Sequence, residues 1–154
     1  MNLLEKWQLA ANVATTCGLA GVAFAYFEFR EGAEAQRKTT AIVAWNEYLR
    51  LALAHPDLAR PAVWLTGLGR ESNQYGRYRW FVAAMFFACE QVLEAHAGDG
   101  AWESVVTSQI RYHEGFLELP EFDANVYSPR LARICREIRF EAKARQTSHL
   151  PSTR

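Results

Sequence analysis

Residues 7–27 read WQLAANVATTCGLAGVAFAYF, with no Asp, Glu, Lys or Arg between Lys6 and Glu28. As an α-helix rising about 1.5 Å per residue, the run is roughly 30 Å long, the thickness of a bilayer's hydrocarbon core. It predicts one N-terminal transmembrane helix. Trp7 at one end and Tyr26 and Phe27 at the other suit the headgroup level. Leu9, Val13, Leu19, Val22, Phe24 and Phe27 together favour insertion by about 3 kcal/mol. Gln8, Asn12, Thr15 and Thr16 oppose it, so the helix is marginal and gains from a partner. Ala10, Ala14, Gly18, Gly21 and Ala25 share one face at helical spacing, where small residues let a second backbone approach closely. Asn12, Ala14, Gly18, Gly21 and Ala25 are therefore the candidate contact with another membrane helix, Asn12 by a hydrogen bond across it.

Orientation follows the basic residues. Lys6 alone precedes the run, whereas Arg30, Arg37 and Lys38 follow it. The positive-inside rule places the N-terminus outside and the rest of the chain in the cytoplasm. A cleaved signal peptide is the rival reading, because Ala23-Phe24-Ala25 has the small-x-small form of a cleavage site. Glu5 offsets the single Lys of the n-region, Asn12 and paired threonines interrupt the apolar part, and bulky residues follow the cut. These features favour an anchor.

Downstream of the run the pattern is helical throughout. Ile42, Trp45, Leu49, Ala52 and Leu53 recur at helical spacing. Pro56 stops that helix, and Asp57 is placed to cap a short one reaching Trp64 and Leu65. Gly32 is the one weak point between this helix and the membrane run, which are either continuous or joined by a bend. Glycines and Asn73 mark a loop over 67–76. Residues 80–89, WFVAAMFFAC, are ten consecutive apolar residues. That is too short to span a bilayer, and it predicts a central core helix in which Phe86, Phe87 or both are buried. From Asp99 or Gly100, the residues Trp102, Val106, Ile110, His113 and Leu117 form an apolar stripe. Val105, Tyr112 and Phe116 should widen it, Gln109 is its polar exception, and Leu119-Pro120 should end the helix. Ser128 as cap and Pro129 as first residue open a last helix with Leu131, Ile134, Cys135 and Ile138 as its core face.

The expected architecture is all-α: residues 1–29 carrying the membrane helix, a cytoplasmic bundle of about four helices over 30–145, and a disordered tail over 146–154. The chain has 154 residues, nine Phe, six Tyr, five Trp and zero formal net charge. One core fits that length. Neutrality argues against a general nucleic-acid binder. The cysteines Cys17, Cys89 and Cys135 are odd in number and form no CxxC, which suits reduced, buried thiols.

Catalytic patterns are missing. The four histidines never stand at i, i+3 or i+4 from one another, and no Glu-x-x-His pair of a di-iron bundle occurs. There is no phosphate-binding GxxxxGK[ST] and no GxSxG. No metal, cofactor or catalytic residue is assigned. Arg77 and Arg79 interleave with Tyr75, Tyr78 and Trp80. With Arg30, Arg37 and Lys38 they are candidates for lipid headgroups, although arginines beside a core helix start more often only snorkel. The acidic stretch over 90–127 and the basic last helix should pack side by side through surface ion pairs.

An N-terminal membrane helix, then HPDLARP at 55–61, AWESVVTSQIRYHEGFLELPEFDANV at 101–126 and YSPRL at 127–131, resembles bacterial single-pass membrane proteins of unknown function. The resemblance implies an inner-membrane location and a small helical cytoplasmic domain, and it brings no catalytic residues. The sequence thus points to a membrane-anchored, non-enzymatic interaction module or accessory subunit, whose partners are the bilayer and another membrane helix. The alternative is a membrane-tethered enzyme or lipid sensor, with an aromatic pocket among Trp64, Trp80, Phe86, Phe87, Trp102 and Tyr112.

Overall fold

The computed structural model describes the backbone of residues 3–59 and 72–148, and the side chains of 25–59 and 72–147. The described chain is all-helical and contains no strand. The helices are α1 (Leu3–Ala54), α2 (Pro56–Ala59), α3 (Asn73–Ala95), α4 (Gly100–Tyr112), α5 (Glu114–Leu117) and α6 (Pro129–Ser148), with a 3-10 turn at Ala124–Val126. The chain divides into two compact units, Met1–Arg37 and Lys38–Arg154.

In the first unit the backbone stays helical from Leu3 onward, and Gly32 lies within the helix without a break. Tyr26, Phe27 and Phe29 are exposed, and the Arg30 guanidinium sits 5.9 Å above the Tyr26 ring. The apolar run 7–27 lies outside the residues with described side chains, apart from its last three. Among the described residues no helix is long and apolar enough to cross a membrane.

The second unit is a bundle in which α3 supplies the largest share of the core. Tyr78, Phe81, Val82, Met85, Phe86, Cys89, Val92 and Leu93 of α3 are buried, against Val106 and Ile110 of α4 and Leu131, Ile134, Cys135 and Ile138 of α6. Of the adjacent phenylalanines, Phe86 is 1% exposed and Phe87 59%. Ser72 caps α3, its hydroxyl accepting the Tyr75 N–H at 3.1 Å. Asp99 caps α4 through the Ala101 N–H at 2.9 Å. Gly98 between the two helices has φ +87°, a left-handed turn that a side chain would strain.

Several expectations need correction. The buried face of α1 is Ala41, Trp45 and Tyr48, with Ala52 half-buried, whereas Ile42, Leu49 and Leu53 are exposed. The helix is rotated because Trp45 and Tyr48 carry more buriable area than the leucines, and the Tyr48 hydroxyl finds Gln109 at 2.9 Å. The helix from 99 to 119 is not continuous. It ends at Tyr112, His113 leaves helical geometry (φ −113°, ψ 22°), and α5 follows. That break points His113, Phe116 and Leu117 all into the core and leaves Val105 and Tyr112 exposed. The Ser128 hydroxyl caps nothing and is buried without a partner, while its N–H donates to Glu90. Finally, α6 continues through residues 146–148, and α3 begins at Asn73, inside the expected loop.

The basic last helix packs beside acidic ones, as its charges require. Arg130 and Arg133 meet Glu103 at 2.8 and 2.7 Å, Arg145 meets Glu114 at 2.6 Å, and Arg139 meets Glu118 at 3.9 Å. Arg130 also donates to the carbonyls of Leu93, His96 and Asp99, closing the C-terminal end of α3. Hydrogen bonds from Arg133 and then Arg130 hold the Glu103 carboxyl below its usual range.

Candidate docking surface

Burial of Phe86 turns Trp80, Ala83 and Phe87 to the outside of α3. Trp80 is 79% exposed. Beside them runs the connector from Pro120 to Ser128. Its Phe122 is buried and its Tyr127 half-buried; the Phe122 ring lies tilted against Phe86 at 5.7 Å, and the Tyr127 ring stacks on Phe86 at 4.9 Å. One short turn and one link to α3 shape it: Asp123 Oδ1 accepts the Asn125 N–H at 2.9 Å, and Glu121 accepts the hydroxyl hydrogen bond of Tyr75 on α3. Val126 is consequently presented outward, 72% exposed. Helix and connector enclose a cavity of about 370 Å³ lined by Gly76, Arg79, Trp80, Ala83, Phe116, Glu121, Phe122, Asp123, Val126 and Tyr127. Its floor is aromatic, and its charged residues are two carboxylates and one guanidinium. A well-packed domain with large apolar side chains gathered around a depression is the usual form of a protein-contact surface.

A second, more polar cluster lies inside. The Tyr78 hydroxyl and His113 Nδ1 are 2.9 Å apart, and His113 is fully buried among Tyr78, Phe81 and Phe116. Its Nε2 is buried and has no hydrogen-bond partner among the described residues. Burial without a compensating charge pushes its pKa from 6.5 down to about 4, so the ring is neutral at physiological pH. Burial also raises the thiols, Cys135 to about 12, with Cys89 and the hydroxyls of Tyr48 and Tyr78 raised as well. Thiols held protonated are poor nucleophiles. Among the described residues no group of three or more His, Cys, Asp and Glu is placed to hold a metal ion.

The residues singled out by sequence fall as follows. The side chains of Asn12, Ala14, Gly18 and Gly21 lie outside the described set, and Ala25 is exposed. Arg30, Arg37 and Lys38 are exposed on α1; Arg77 and Arg79 are exposed on α3. Arg77 reaches His55 Nδ1 at 3.5 Å, and Arg79 turns to the cavity. Among the described residues the expected aromatic pocket does not assemble. Trp64 lies outside the described residues, Phe86 is core, and Trp102 packs on Trp45 and His96. Trp80 lines the cavity above, whereas Tyr112 lines a separate groove of about 550 Å³ with Tyr48, Leu49, Leu53 and Gln109. The sequence places a connector through Phe122, Val126 and Tyr127 but does not mark Val126 and Asp123 as surface-forming, since they stand in no periodic pattern. The available signal was the short Asp123-x-Asn125 turn ahead of Val126.

No protein-family model, curated protein or solved structure matches the chain.

Proposed function

We propose that the chain is a membrane-anchored, non-enzymatic interaction module, held by residues 7–27 at a bacterial inner membrane with its helical domain in the cytoplasm. The observation that carries this reading is the surface around the cavity lined by Trp80, Ala83 and Val126, with Phe87 also exposed on α3, where three large apolar side chains, Trp80, Phe87 and Val126, are left open beside a closed core. The charge-free run, the basic residues Arg30, Arg37 and Lys38 after it, and the small-residue face through Gly18 and Gly21 support the anchor and a second membrane helix beside it. The buried, protonated thiols and neutral His113 fit packing better than turnover.

Purification of the tagged full chain from native membranes, with Trp80→Ser/Phe87→Ser alongside, tests the reading. The wild type should bring down stoichiometric protein, other copies of itself included, that the variant loses. Equal recovery with both would remove the surface from the account. A stoichiometric small molecule bound to both would favour a ligand sensor instead.

A further inference from the structure

Resting on the interaction-module reading, we infer that the cavity between α3 and the 120–127 connector receives Phe140 from α6 of a second copy of this chain. Arg130, Arg133, Arg139 and Arg145 each meet a carboxylate. Arg136 and Lys143 have no carboxylate partner among the described residues, and they stand four before and three after Phe140. Residues at i−4, i and i+3 share one helix face. Phe140 itself is 76% exposed, the one large apolar side chain left open on that helix. The chain thus displays an aromatic knob between two cations that meet no carboxylate among the described residues.

The cavity is its complement. About 370 Å³ lined by Trp80, Ala83, Phe122, Val126 and Tyr127 accommodates an aromatic ring and the edge of its helix. Asp123 and Glu121 outnumber Arg79 among the lining charges, so the cavity suits a cationic surround. Asp123 uses Oδ1 for the Asn125 turn, and its exposed carboxylate keeps a second oxygen for a cation. Zero formal net charge removes long-range repulsion between copies. The contact is heterologous, with α6 of one copy against α3 and the connector of the next.

Complementation tests it on the full chain in bilayer discs or mild detergent, read by native mass and dilution series. Phe140→Ala removes the knob, and Ala83→Trp fills the cavity from an exposed position. Each variant alone should weaken self-association at least about tenfold, with the circular dichroism of the wild type. Mixing the two variants should restore a 1:1 complex, because one supplies the cavity and the other the phenylalanine. Raising salt should weaken that complex. Wild-type association that neither variant weakens would overturn this contact while leaving the interaction-module reading in place. A wild type that stays monomeric, or variants that fail to complement, would overturn it as well. Membrane retention and partner capture test the broader reading separately.

Discussion

Acid should destabilise the helical domain through His113 in particular. The side chain is fully buried and holds its pKa at about 4, against an ordinary value of 6.5. Because the folded pKa is depressed, the neutral ring's contribution is complete above the unfolded pKa. It is lost as pH falls from 6.5 toward about 4, where the unfolded chain takes up a proton that the folded chain refuses. At roughly 1.4 kcal/mol per pKa unit the full loss is about 3 kcal/mol, a large share of the roughly 5–15 kcal/mol that a domain possesses. The matched variant is His113→Leu with Tyr78→Phe, which removes the titrating ring and its hydroxyl partner together. Replacing both partners by apolar groups is close to neutral at pH 7. Urea unfolding of the full chain in mild detergent, followed by tryptophan fluorescence at about pH 7 and about pH 4.5, reads the difference. The wild type should lose about 2–3 kcal/mol more than the double variant over that interval. Equal losses, or a His113 titration near pH 6.5 by NMR in the folded chain, would mean that the buried ring does not set the acid sensitivity.

Three further outcomes follow from the packing and the anchor. Phe86→Ala should cost about 3–5 kcal/mol, whereas Phe87→Ala should stay within about 0.5 kcal/mol; thermal melts of both variants decide it, and equal effects would contradict the placement of the two rings. Arg130→Met should cost about 1.5–3 kcal/mol, since it strips α3's last carbonyls of their charged donor and leaves Glu103 to Arg133 alone; an unchanged urea midpoint would assign Arg130 to the surface only. Gly18→Leu with Gly21→Leu should insert at least as well as the wild type, leave the domain's melt unchanged and weaken any helix–helix association measured in a bilayer; unchanged association would make the small residues incidental.

Much of the bundle was legible because it rests on periodicity. The ten-residue apolar stretch at 80–89 marked the central helix, and the stripe Val106–Ile110 and the face Leu131–Ile138 marked its neighbours. Periodicity does not say which of two overlapping stripes wins. On α1 the stripe through Trp45 and Tyr48 prevails over Leu49 and Leu53, because its aromatic rings bury more area and Gln109 satisfies the tyrosine. The break at His113 was hidden for a related reason: a continuous helix satisfies the spacing, and only the core's demand for His113, Phe116 and Leu117 together ends it. The candidate surface was not legible even in its helical half, because residues 80–89 read as one apolar core run that does not tell the outward Trp80 and Phe87 from the buried Phe86. Its other half depends on where the connector folds back over α3, a long-range contact that no local pattern encodes.

Alkaline extraction of native membranes, with the intact mass of the retained protein read alongside, tells an anchored domain from a released one. The full chain should stay in the membrane pellet with residues 1–25 still attached. Release into the supernatant, or a mature protein beginning at Tyr26, would contradict it.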